Sequence, residues 1–261
     1  MPPARALLVV ASVAGIGWML RALVLEPPPL VHAFVALGAY LALVAVGLTC
    51  PSLAMFVDVV TEGPRDARGV ALTIDVADAA AARALAPLLE GHALRATLFV
   101  TRAVVEETPE TLASLVAAGH ELALLGNAGL VWSRRALEAE LDAALKLFAT
   151  LDGGRRPVAF RAASRTLAPA LASIARALRF DVVDATVSLG ARPSVGDDVV
   201  IGRAARDGAI VRVSASRLVV GPELLEALSA AFGRLQLATV TLATWLASED
   251  GEELSPAARR S

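Results

Sequence analysis

The segment GVALTID (69–75), followed by the helix-like stretch AAAARALAPLLE, decides the fold class of most of this chain. The same change from a short apolar run to an amphipathic stretch recurs after LRATLFVT (94–101) and after HELALLG (120–126). Apolar runs of this length that alternate with helical patterns are typical of parallel strands covered by helices on both faces. The sequence therefore predicts an α/β domain.

Four further apolar segments continue the alternation and bring the predicted number of strand–helix units to seven. They are PVAFR (157–161), DVVDATV (181–187), GAIVRVS (208–214) and LATVTL (237–242). Parallel neighbours require right-handed crossovers, and periodicity alone fits either an incomplete barrel or an open sheet. In both architectures we expect a site at the carboxyl ends of the strands.

Two apolar segments precede this domain. Residues 6–25 carry a single charge, Arg21, and residues 30–56 contain no Asp, Glu, Lys or Arg. Segments of about 20 apolar residues are long enough to span a bilayer. We expect residues 1–60 to form a membrane anchor of two transmembrane helices, with a signal peptide as the alternative interpretation of the first segment.

Both ends of such a hairpin lie on one side of the membrane. Arg5 precedes it and Arg65 and Arg68 follow it, against Arg21 near the connection. The positive-inside rule then favours a cytoplasmic position for the main domain, at a bacterial-type inner membrane. The main domain is expected over residues 61–248, and the polar end 249–261 is expected to be disordered.

Composition excludes several classes of protein. The chain of 261 residues is 56% hydrophobic and 19% charged, which is far too apolar for a disordered protein. A formal charge of −2 without a basic cluster argues against a nucleic-acid partner. The single cysteine, Cys50, can form neither a disulfide framework nor a thiolate metal cluster.

Four segments together resemble the NodB homology domain of the polysaccharide deacetylase family. In chain order they are GVALTID, LRATLFVTRAVVEETPETLASLVAAGHELAL, RRPVAFRAASR and DGAIVRVSAS. The similarity extends from about Gly69 to Trp245, and the preceding apolar segments resemble a subgroup with a membrane hairpin. The resemblance implies a distorted (β/α)7 barrel preceded by two transmembrane helices.

The family's chemistry is a metal-assisted deacetylation of N-acetylated sugars. One Asp and two His hold a divalent metal, and a neighbouring Asp is the general base. The motif T-F-D-D-G corresponds to residues 73–77, which leaves the base position as Asp75 but puts Val76 at the metal-binding carboxylate. The two histidine ligand positions correspond to Leu125 and Gly129. We therefore expect no metal cofactor.

The later motifs are also incomplete. The motif F-R-P-P retains Phe160 and Arg161 but continues with two alanines, and the late H-D motif, which supplies the catalytic acid, falls on Ser214 and Ala215. The chain has three histidines in all, none with a ligand partner at metal spacing. His120 belongs to the family's G-H-E turn, where we expect a structural hydrogen-bonding role.

Asp75 and Arg161 are the two polar positions of the family site that remain, so they are the candidate catalytic residues. One interpretation is a residual acid–base pair, and the other is a partly buried ion pair. One interpretation of the arginines around them is a rim that binds an anion such as a sugar phosphate or an acidic glycan, and the other is a set of solvated charges without a ligand. The candidate binding residues of such a rim are Arg102, Arg165, Ser214 and Arg217.

Two functional hypotheses follow. The first is a catalytically inactive deacetylase homologue, anchored in the membrane, that binds a glycan, a glycolipid or a protein partner of envelope carbohydrate metabolism. The second is an active hydrolase of C–N amide bonds that deacetylates an N-acetylated sugar with a remodelled site built on Asp75 and Arg161.

Overall fold

The computed structural model describes residues 3–25, 29–50, 53, 55–64, 66–92, 94–126, 134–151, 156–163, 170–190 and 196–246. Its centre is one parallel sheet that curls into a half-barrel, with the strand order β5-β4-β3-β2-β1-β7-β6 and with β8 paired to β1. The strands are β1 Val70–Val76, β2 Thr97–Val100, β3 Glu121–Gly126, β4 Ala159–Ala162, β5 Asp181–Val182, β6 Val187–Ser188, β7 Ile210–Ser214 and β8 Thr239–Val240.

Two long helices precede the sheet, and shorter helices connect its strands. The long ones are α1 Pro3–Val24 and α2 Leu30–Thr49. The connecting helices are α3 Ala79–Glu90, α4 Arg102–Glu107, α5 Pro109–Ala117, α6 Arg134–Leu151, α7 Leu171–Leu178, α8 Asp197–Ala204, α9 Ala215–Val220 and α10 Glu223–Arg234. The predicted α/β domain and its distorted barrel are confirmed.

The alternation of side chains along β1 separates two cores. Leu72 and Ile74 belong to the large core between the sheet and the surrounding helices. Ala71 belongs to a smaller core, which Phe99 and Trp245 share. Because side chains in a strand alternate between the two faces, Thr73 and Asp75 lie on the same face as Ala71, inside the curl.

The predicted strand 181–187 is wrong in one respect, since this segment forms two short strands instead of one. β5 pairs with β4, whereas β6 pairs with β7 at the other end of the sheet. The chain turns between them at Asp184, whose side chain accepts a hydrogen bond from the backbone N–H of Ala185 at 2.9 Å. The segment crosses from one end of the curled sheet to the other, so it cannot pair along its whole length.

Both N-terminal helices are long and apolar enough to cross a membrane, over Ala4–Ala22 and Leu30–Leu48. They contact each other, with a Ser12 Oγ to Tyr40 Oη distance of 3.2 Å. The second helix ends at Thr49 and not at residue 56 as predicted. Pro51 explains the early end, because a proline disfavours helical backbone in the residue before it. The predicted tail 249–261 lies outside the described residues.

Candidate functional site

A pocket of about 200 Å³ lies at the carboxyl ends of β1 and β7, inside the mouth of the curled sheet. Its position agrees with the expectation that a site lies at the ends of the strands. The lining residues are Asp75, Ala77, Asp78, Leu125, Ala163, Arg212, Ser214 and Ser216. A second pocket of about 170 Å³ adjoins it, since Ala77 and Leu125 line both.

Asp75 and Arg161, the two retained family positions, are in direct contact. Arg161 Nη1 donates to Asp75 Oδ1 at 2.9 Å and to Thr73 Oγ1 at 2.9 Å. The guanidinium also lies over the ring of Phe99, 4.0 Å from the centroid. Only 1% of Arg161 is exposed, so this cation is held entirely by neighbours within the curl.

Arg212 is a third charged member of this cluster that sequence analysis missed. Its Nε and Nη2 lie 2.7 Å and 2.6 Å from Asp75 Oδ2. Its Nη1 lies 3.7 Å from Asp184 Oδ1. One signal could have found it, because Arg212 interrupts the apolar strand IVRVS at the position that pairs with Thr73. A charged residue in register with an inward-facing residue of the central strand requires a buried partner.

The cluster is electrically balanced. Two carboxylates, Asp75 and Asp184, face two guanidinium groups, Arg161 and Arg212. Burial lowers the pKa of Arg161, while the Coulombic attraction and hydrogen bond of Asp75 oppose that shift. An arginine has so high a pKa that the side chain nevertheless stays cationic near neutral pH. The cluster therefore does not present the strong positive field that an anion site requires.

Those predicted binding residues that the structure describes do not form one cationic rim. Ser214 lines the pocket and caps α9, because its Oγ accepts from the Arg217 backbone N–H at 3.3 Å. Arg102 lies in the second pocket and donates to Glu106 at 2.8 Å. Arg217 is buried and paired with Asp197 at 3.1 Å, outside the pocket lining. Arg165 lies outside the described residues.

The metal-ligand positions of the family carry no metal-binding side chains in the described part of the chain. Val76 is buried in the large core, and Leu125 packs in the smaller core and lines the pocket. Gly129 lies outside the described residues. Within the described ranges, no group of three or more His, Cys, Asp or Glu side chains could hold a metal ion. The hydrocarbon side chains of Val76 and Leu125 have no atom that could bind the divalent metal of the family.

His120 lies directly before β3, at the opposite end of the strands from the pocket. It is buried, and its Nδ1 has no hydrogen-bond partner among the described residues. Burial lowers the pKa of His120 because the charged imidazolium loses its hydration. Its burial fits a structural place in the turn, and the expected hydrogen-bonding role stays a prediction.

A family model matches the part of the chain that carries the Asp75–Arg161 pair. Residues 62–183 match the family model described as polysaccharide deacetylase. The matched domain belongs to the polysaccharide deacetylase family. The match includes β1 to β5 and therefore both Asp75 and Arg161. A comparison with curated proteins finds no match to this chain.

Solved structures with the same fold include a pseudoenzyme, a carbohydrate esterase and a chitin deacetylase. A CE4 family pseudoenzyme from Bacillus anthracis is 19% identical, with 74% of this chain and 71% of that chain covered and a TM-score of 0.61. Bacillus subtilis PdaA, a family 4 carbohydrate esterase, is 16% identical, with 76% and 89% covered and a TM-score of 0.61. The chitin deacetylase of the fungal pathogen Colletotrichum lindemuthianum is 17% identical, with 72% and 90% covered and a TM-score of 0.61. At these identities the similarity shows the shared fold of the deacetylase-family domain.

Proposed function

We propose that this chain is a membrane-anchored pseudoenzyme of the polysaccharide deacetylase family that binds a glycan or the sugar part of a glycolipid without deacetylating it. The observation that carries the proposal is the double pairing of Asp75. One oxygen accepts from Arg161 and the other from Arg212. A general base must reach its proton within hydrogen-bond distance, and the two arginines take up most of the acceptor sites of this carboxylate.

The metal-ligand positions give independent support. The family's deacetylation uses a metal to polarise the acetyl carbonyl and to supply the attacking water. Val76 and Leu125 offer hydrocarbon at two of the three ligand positions. General-base assistance alone supplies roughly 100- to 10,000-fold, which leaves most of the barrier to amide hydrolysis. The related fold from Bacillus anthracis is called a pseudoenzyme, and one of its mutants is described as having restored enzymatic activity.

Metal titration of the full chain in detergent tests this proposal. We expect the unsubstituted chain to show no stoichiometric binding of cobalt or zinc. Binding of one equivalent at micromolar affinity by the unsubstituted chain would overturn the proposal.

Ligand binding is tested with neutral chito-oligosaccharides, because the charge-balanced cluster does not favour an anion. Ser216 is exposed and lines the pocket, so Ser216→Trp should abolish binding by filling the space. Ser173→Trp introduces the same bulk at an exposed position of α7 and should leave binding unchanged. Equal affinities of both variants would remove the pocket as the glycan site, and binding of a purified partner protein would then be measured instead.

The alternative function is an active hydrolase that deacetylates an N-acetylated sugar with Asp75 as base and Arg161 as its orienting partner. The direct contact of these two side chains favours this alternative. Acetate release from N-acetylated oligosaccharides, lost in Asp75→Asn with the domain still folded, would establish it. If the unsubstituted chain released no acetate from the same substrates, the result would support the pseudoenzyme proposal.

Membrane anchoring by α1 and α2, with the domain on the cytoplasmic side, is part of the proposal. Cys50 is exposed at the end of α2, on the same side of the hairpin as the domain. A membrane-impermeant maleimide should therefore label Cys50 only after the cells are permeabilised. Labelling in intact cells would place the domain on the outer side, and Cys50→Ser controls for reaction elsewhere.

A further inference from the structure

The two ends of the curled sheet are joined by residues 60–63, here named the junction segment. Val60 donates its N–H to Val182 O at 2.8 Å, and its carbonyl accepts from the Asp184 N–H at 2.9 Å. Gly63 donates to Gly208 O at 2.8 Å, just before β7. The Thr186 hydroxyl donates to Thr61 O. The junction segment thus bonds to residues from β5 to the start of β7 and closes the gap between these ends.

The junction segment also contacts the side chains that fill the inside of the curl. Val60 packs against the smaller core, to which Val183 and Trp245 belong. The ring of Trp245 lies so close to Gly63 that an added Cβ would meet it at 2.7 Å. Displacement of this segment would therefore expose part of the smaller core on one side.

The junction segment is tied to the membrane hairpin by the residues before it. Arg5, in the first turns of α1, donates to Asp58 Oδ1 at 2.8 Å and to Met55 O at 3.3 Å. Met55 packs against Gly47 of α2, whose added Cβ would lie 2.3 Å from its sulfur. Tilting or separation of α1 and α2 would consequently act on the chain two residues before Val60.

The junction segment is tied to the pocket as well. Asp184, which donates its N–H to Val60, approaches Arg212 with its side chain, and Arg212 in turn holds Asp75. Displacement of Val60 would free Asp184 and remove one of the two carboxylates that face Arg212. A continuous set of contacts therefore leads from α1 to the pocket.

We propose that the junction segment is a strap that opens locally and transmits changes in the membrane hairpin to the Asp75–Arg212 pocket. Its polar attachment consists of a few backbone hydrogen bonds, the Thr186 contact and the exposed Glu62–Arg206 ion pair, and its apolar attachment is limited to the contacts of Val60 and Gly63 with the smaller core. Regions with few such contacts open at lower free energy than a central strand. This inference goes beyond glycan binding and does not depend on which ligand the pocket accepts.

Thiol labelling of the full chain in lipid nanodiscs tests the local opening. In a Cys50→Ser background, Val183→Cys places a thiol beneath the strap, and Ala123→Cys places one in the same core on the central strand β3. Both positions are buried. We expect Val183→Cys to react at least tenfold faster than Ala123→Cys. Equal rates would mean that only global unfolding exposes the core, and the strap proposal would fail.

A second set of variants tests the link to the hairpin. Arg5→Gln removes the charged contact with Asp58 and should speed the labelling of Val183→Cys several-fold without changing that of Ala123→Cys. Arg68→Gln is the matched control, since Arg68 is exposed and its partner Asp207 lies at 3.9 Å. An unchanged rate in Arg5→Gln, or the same acceleration in both thiol reporters, would contradict the link.

Hydrogen exchange on the unsubstituted chain guards against effects of the introduced cysteines. The amides of Val60 and Asp184 bond across the strap, whereas that of Leu98 lies in the central part of the sheet. The strap amides should exchange at least tenfold faster and should exchange together. Protection equal to that of Leu98 would overturn the proposal whether or not the pocket binds a glycan.

Discussion

Arg212 donates to a single carboxylate oxygen of Asp75 through both its Nε, at 2.7 Å, and its Nη2, at 2.6 Å. Arg161 occupies the other oxygen at 2.9 Å. Charge-assisted hydrogen bonds of this kind are short and strong. Asp75 therefore serves as the common counterion of two arginines.

Replacement of Asp75 should destabilise the domain strongly. Asp75→Asn keeps the shape of the side chain but leaves Arg161 and Arg212 without their shared charge. Loss of one partner of a buried ion pair costs about 3 to 5 kcal/mol. We expect the free energy of unfolding of the full chain, measured by urea in mild detergent, to fall by about that amount.

The matched control for this measurement is Asp142→Asn. Asp142 pairs with Lys146 across one turn of α6, and both side chains are substantially exposed. An exposed pair of this kind contributes about 0.5 kcal/mol or less. If Asp75→Asn cost no more than Asp142→Asn, the cluster would not be held by the charge of Asp75.

The two arginines should differ in their tolerance of lysine. Arg161 is almost fully buried and uses its planar group on Asp75, Thr73 and the Phe99 ring, whereas a quarter of the Arg212 side chain is exposed. Lysine has a single ammonium group, so it cannot make the several contacts of a planar guanidinium at once. Arg161→Lys should therefore lower the unfolding free energy by about 3 kcal/mol and Arg212→Lys by about 1 kcal/mol. Equal losses in the same urea experiment would show that burial does not distinguish them.

The sequence could predict the fold and half of the charged cluster. The continuous apolar strands and intervening helices indicate a parallel sheet, and the motif positions place Asp75 and Arg161 near the carboxyl ends of two of its strands. Arg212 was missed because its partner, Asp75, lies 137 residues away and no local pattern joins them. Arg217 was misplaced for the same reason, since its pairing with Asp197 depends on how α8 and α9 meet.

The closure of the sheet was also beyond prediction. The run DVVDATV has the composition of one strand, yet β5 and β6 belong to opposite ends of the sheet. The pairing of this run depends on the gap between those two ends. In that gap the junction segment forms hydrogen bonds with Val182 and Asp184. Such a choice depends on tertiary contacts, which override local propensity.

Gly69 should not tolerate a side chain. Its backbone has φ +85°, and an added Cβ would lie 2.3 Å from the carbonyl oxygen of Ala238. A left-handed conformation costs a non-glycine residue roughly 1 to 3 kcal/mol, and the clash with backbone adds to it. We expect Gly69→Ala to lower the unfolding free energy by about 3 kcal/mol.

Gly202→Ala is the matched control for Gly69→Ala. Gly202 lies inside α8, and an added Cβ there meets no atom within 4 Å. Alanine in a helix interior is favoured over glycine by about 0.5 to 1 kcal/mol, so this variant should gain that amount. A loss of stability at Gly202 similar to that at Gly69 would contradict the steric argument.

The burial of His120 should make the stability of the domain depend on pH. Burial lowers the pKa of His120 in the folded chain below its ordinary value of 6.5. Between these two pKa values the unfolded chain binds more protons, so stability is full above about pH 6.5 and falls as the pH decreases below it. His120→Leu, which cannot be protonated, should reduce this slope by at most about 1.4 kcal/mol per pH unit in urea unfolding measured from pH 7.5 to 5. Gly202→Ala changes no titratable group and should keep the slope of the unsubstituted chain, whereas an unchanged slope in His120→Leu would show that other groups cause the dependence.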